Sequence, residues 1–137
     1  MLTDPTRLPE AYAAAVYVKD VAAFTALYAP DVRIFDTWGG WQQRGLEALH
    51  ASTAEWFGSL GEERVVVTVS DVQHSVGDTL AAIHGLIEFK AVSASGEKLR
   101  AMQERVTWLL EKQGEGWRVM HQHSSLPADF ETGKVMK

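Results

Sequence analysis

Residues 64–125 read RVVVTVSDVQHSVGDTLAAIHGLIEFKAVSASGEKLRAMQERVTWLLEKQGEGWRVMHQHSS, and this stretch decides the fold. Arg64 to Val76 is rich in valine and β-branched residues, which pack well on a pleated surface. Gly77-Asp78 is a hairpin turn signal, and Thr79 to Val92 follows it as a second strand. The turn segments SASGEK and QGEG set off Leu99 to Lys112 and Trp117 to Ser125 as a third and a fourth. Four consecutive strands with short turns predict an antiparallel meander.

The chain before the meander reads as helix. Pro9 suits a first helical position, and Tyr12, Ala15, Val16 and Lys19 recur at helical spacing. Asp20 is an N-cap for a short second helix carrying Val21, Phe24, Leu27 and Tyr28, and Pro30 is expected to stop it. VRIFD alternates as a short strand, and TWGGWQQRG is a turn-rich loop. A third helix is expected from Leu46 to Leu60, with an apolar stripe that includes Leu49, Thr53, Trp56 and Phe57. Helices first and sheet afterwards predict an α+β fold: a cone-shaped, curled antiparallel sheet against three N-terminal helices, with a cavity between them. The outer sheet face would be wet unless a second copy covered it, so a homodimer is expected.

Composition bounds the function. The 137 residues fit one domain, 1–137, able to bury a core without staples. No cysteine is present, which excludes disulfides, thiolate metal sites and cysteine catalysis and suits a reducing cytoplasm. With a formal net charge of −5 and no basic stripe, nucleic acid is not an expected partner. The start, MLTDPTRLPEAY, lacks a charged and then apolar pattern, and no apolar run is long enough for a membrane span. No G-x-S-x-G elbow accompanies Ser124-Ser125, and no glycine pattern resembles a phosphate loop. Five Trp, five Phe and three Tyr instead suggest a pocket, here for a small organic ligand, or an interface, as well as a core.

The segments AYAAAVYVKDVAAFTALYAPDVRIFD, QRGLEAL and GWRVMHQHSSLP resemble the nuclear-transport-factor-2-like superfamily, in particular its SnoaL-like and ketosteroid-isomerase-homologue branch. The resemblance covers nearly the whole chain and implies the fold just described. It also implies cofactor-independent proton-transfer chemistry of the isomerase, cyclase or dehydratase kind, or, alternatively, a non-enzymatic association or ligand-sensing module. Laid on ketosteroid isomerase, Tyr12 falls on the tyrosine that donates to the substrate oxygen and Asp36 on the general base. The family's strand aspartate has no counterpart in MQERVT, where Arg105 or a neighbour takes its place.

The residues themselves leave alternatives at each position. Asp36, beside Trp38 and Trp41, is either a desolvated base or the cap of the TWGG turn. Tyr12 is a donor to ligand or a core tyrosine. His121 and His123 alternate with Trp117 and Val119, which places both imidazoles inward as donors or as hydrogen-bonded core residues. A metal would need a third ligand from Asp36, His84 or Glu88, and none is expected. His84 shares a strand face with Glu88; inward, Arg105 would hold an anion or pair with Glu88 or Asp36, while outward it is a surface ion pair. Trp38 and Trp41 flank Gly39-Gly40 as a lid or as interface residues. Trp56, Phe57 and Trp108 complete the expected apolar contacts.

Overall fold

The computed structural model describes residues 2–136; Met1 and Lys137 lie outside the described residues. A short 3-10 turn, Pro5–Arg7, leads into α1, Leu8–Val18, and Asp4 caps that turn by accepting from the Thr6 amide at 3.0 Å. Lys19 ends α1 in the left-handed conformation, and its Nζ donates to the carbonyls of Gly61 at 2.6 Å and Glu63 at 2.9 Å. Those two bonds tie the end of α1 to the chain entering the meander. Asp20 caps α2, Val21–Thr25, by accepting from the Ala23 amide at 3.0 Å.

Pro30 does not stop α2, which ends at Thr25; it lies inside β1, Tyr28–Phe35. It sits where pairing is irregular, between Tyr28 and Arg33, so its missing N–H is tolerated. A two-residue strand, β2, Gln43–Arg44, lies within the segment read as loop. It is followed by α3, Leu46–Ser59, then β3, Arg64–Val76, β4, Leu80–Val92, β5, Lys98–Gln113, and β6, Gly116–Ser125.

The last four strands form the expected meander, in an open six-stranded sheet of order β2-β1-β6-β5-β4-β3. The β1–β6 pair is parallel, so the sheet is mixed. The fold is α+β, with three helices against one sheet face. Contacts run from α1 to β3 and from α3 to β1, at opposite ends of the sheet. The inner face of the middle strands is thus left facing a gap. No helix among the described residues is long and apolar enough to cross a membrane.

Two irregularities aim side chains. In β3 one extra residue lies between Ser70 and Gln73, with Asp71 at φ 50°, opposite Gly85 of β4. A Cβ on Gly85 would stand 2.7 Å from the Ser70 carbonyl oxygen, so only glycine lets the bulge approach. In β6 Leu109 pairs with His121 but Leu110 pairs with Val119, which leaves Met120 as a bulged residue. From that point the inward and outward sides of β6 exchange.

Candidate functional site

The gap is a cavity of about 520 Å³, within the range of small-molecule sites. Its walls are largely aromatic and aliphatic: Phe24, Trp56 and Phe89 with Leu60, Val65 and Ile87. Polar groups gather where β1, β5 and β6 meet: Asp36, Glu104, Gln122 and Ser124.

Two carboxylates are joined there. Asp36 Oδ1 accepts from the Thr37 amide at 2.8 Å and from Ser124 Oγ at 3.1 Å. The Thr37 hydroxyl donates to Glu104 Oε1, so Thr37 links the two acids, its amide to Asp36 and its hydroxyl to Glu104. Glu104 is 5% exposed, and burial raises its pKa above the ordinary glutamate range. The Thr37 hydrogen bond opposes that rise, and the charge of Asp36 adds to it. A group with a raised folded-state pKa stabilises the fold fully below its unfolded value, and that contribution is lost as pH rises through the folded value. Glu104→Gln should therefore raise the melting temperature at pH 8 by a few degrees, the scale of about 1 kcal/mol in a domain this size. Below pH ~4 the two proteins should melt alike. Thermal unfolding across that range checks both limits.

Tyr12, 5% exposed, lines the cavity from α1, and its hydroxyl makes no hydrogen bond to another described residue. Its ring lies 5.0 Å from Phe24 and 5.6 Å from Trp108. Burial, then the charges of Asp36 and Glu104, hold it as the neutral phenol. Tyr28 is likewise kept neutral, first by burial, and donates to Gln122 Oε1 at 2.5 Å.

Several expected contacts lie elsewhere. His121 and His123 point to the outer face, because the Met120 bulge reverses the alternation read from Trp117 and Val119. There His121 Nδ1 lies 2.6 Å from the Arg33 carbonyl and donates to it, since a carbonyl only accepts. Both imidazoles stand edge-on to Phe35, at 4.9 and 5.3 Å. His84 pairs with Thr107, Glu88 with Gln103, and Arg105 with Leu86, all on the outer face, opposite Ile83, Ile87 and Glu104. Arg105 donates to Ser125 Oγ at 3.1 Å. Trp41 is 97% exposed and does not line the cavity. Trp38 and Trp56 line the cavity. Phe57 and Trp108 belong to the packed core behind it rather than to its surface. No group of three His, Asp or Glu side chains among the described residues is placed to hold a metal ion.

Glu104, the buried acid on the sheet wall, is not among the residues that sequence reasoning singles out. Its signal is present, since it alternates with Val106, Trp108 and Leu110 as the one acid on an apolar face. Gln122 and Ser124 carry no such signal, because nothing in HQHSS announces a bulge two residues earlier.

A SnoaL-like domain profile matches residues 7–129. The chain belongs to the SnoaL-like family. No curated protein matches this SnoaL-like domain in sequence. Among solved structures it is similar to an NTF2-like protein of unknown function from Pseudomonas putida KT2440, at 27% identity and TM-score 0.82, covering 96% of this chain and 89% of that one. It is also similar in fold to Aln2 from a Streptomyces species, at 16% identity and TM-score 0.77, covering 91% and 94%. A nuclear transport factor 2-like superfamily protein from Salmonella enterica serovar Typhimurium shares the fold at 18% identity and TM-score 0.68, covering 93% and 91%. The SnoaL-like domain is therefore a member of the NTF2-like superfamily, as the sequence segments implied.

Proposed function

We propose that this SnoaL-like domain, taken as one unit over residues 1–137, binds a small, largely apolar organic molecule and transfers a proton on it without an added cofactor. The observation that carries the reading is the pair of carboxylates, bridged by Thr37 and Ser124, at the polar end of an apolar cavity. Asp36, at the end of β1, is the base. Glu104, buried beside that charge, is the acid partner, and the Tyr12 phenol donates to the oxygen on which negative charge develops. Glu104 thereby occupies the role for which the resemblance suggested Arg105 or a neighbour.

A nitrobenzisoxazole tests this chemistry with a simple C–H acid. The base takes the ring proton, the N–O bond breaks, and its electron pair leaves on oxygen as a coloured phenolate. The wild-type rate should saturate with substrate and be blocked by isopropylnaphthalene, an apolar occupant of the cavity. A rate that stays linear and ignores the blocker rejects the reading.

A second reading concerns the outer face. Phe35, Leu86 and Leu109 bring apolar surface to it, and Leu109 is 38% exposed. A second copy seated there makes the protein a homodimer, with association as a function in its own right. Light scattering should then give twice the chain mass, and Leu109→Asp should halve it while elimination kinetics stay unchanged. A wild-type monomer rejects this reading alone.

A further inference from the structure

Gln122 sits inward only because of the Met120 bulge, opposite Trp108 on β5 and Ile34 on β1. Its Oε1 accepts from the Trp108 indole N–H at 2.8 Å and from the Tyr28 hydroxyl at 2.5 Å. The indole can only donate, so a flipped amide would set two donors against each other. The amide orientation is thus forced by chemistry. With both acceptor positions of Oε1 used, the –NH₂ remains, and it makes no hydrogen bond within the described chain. Gln122 lines the cavity, so that group is offered to whatever fills it. Tyr12 packs on the same Trp108 ring with its own hydroxyl unclaimed. A buried donor on α1 and a donor on the sheet wall, held by two buried partners, therefore line the same cavity.

We infer that Gln122 is a specificity-determining residue, whose locked amide reads an uncharged oxygen acceptor, such as a ketone or aldehyde carbonyl, on an otherwise apolar ligand. The inference rests on the pocket reading proposed above and adds the polar feature that the ligand must carry. An acceptor satisfies the free N–H groups, whereas a hydrocarbon of the same shape strands them after displacing water. The carboxylates cannot play this part when ionised, because they only accept.

Methyl naphthyl ketone and isopropylnaphthalene are near-isosteric probes. The wild type should bind the ketone about tenfold more tightly, the scale of one or two neutral hydrogen bonds. Gln122→Met should cut that preference severalfold, to what the Tyr12 phenol alone supplies, while holding hydrocarbon affinity within about twofold, which a merely structural role would not do. Because the variant strands Tyr28 and Trp108 and its folding is at risk, the wild type is also examined by NMR. There the Gln122 side-chain –NH₂ resonances should shift downfield with the ketone and not with the hydrocarbon. Equal wild-type affinities, a preference undiminished in Gln122→Met, or unmoved –NH₂ resonances overturn the inference and leave the pocket reading intact. Failure of both compounds to bind overturns the two together.

Discussion

Asp36→Asn should slow elimination of the nitrobenzisoxazole by about a thousandfold, in the middle of the range for removal of a positioned general base. The substitution is nearly isosteric. The amide oxygen can still accept from the Thr37 N–H and the Ser124 hydroxyl, so local structure should persist. What is lost is the lone pair able to take a proton in an apolar enclosure. Affinity for isopropylnaphthalene should change by less than about twofold, since Phe24, Trp56 and Phe89 supply the apolar walls of the cavity. If the rate falls by less than about tenfold while the far-UV spectrum and melting curve match wild type, Asp36 is not the base, and the shape of the cavity serves binding only.

Trp108→Ala should cost about 4 kcal/mol of stability and lower the melting temperature by roughly 12 °C. The indole is fully buried in the middle of β5, between Val106 and Leu110, and faces Tyr12 and Gln122. Its removal leaves a void against close-packed neighbours and takes away one of the two donors that fix the Gln122 amide. Against a typical total of about 5–15 kcal/mol, that loss is large. Urea denaturation measures it directly. A cost below about 1.5 kcal/mol would mean that the site collapses around the gap, and that Trp108 is not where the sheet wall gains its rigidity.

Asp36 and Tyr12 became candidates through the resemblance to ketosteroid isomerase, and Trp38 and Trp56 as aromatic residues with other roles open. All four line the cavity, whereas the histidines were placed by strand alternation. The same alternation misplaced His121 and His123, since it holds only while every residue has a partner across the ladder. For His84, Glu88 and Arg105 alternation gave the side each shares but not which side faces the helices. A strand pattern fixes parity, and only packing supplies direction. Ile83 and Ile87 turned to the side of the sheet that holds the core cluster, although Leu86 on the other face is also apolar. The parallel β1–β6 pair was likewise beyond the sequence, because those strands are far apart along the chain and only closure of the whole sheet brings them together.

By itself, the order of apolar periods, caps and turns determined helices followed by a meander, and with them the α+β class, because those signals act over a few residues. Which polar atoms meet was decided only in three dimensions. One unpaired residue in β6 turned Gln122 toward Trp108 and Tyr28 and Ser124 toward Asp36, and sent two histidines to the opposite face. That outcome depends on register between strands, which is set by contacts across the sheet and is written in no local stretch of the chain.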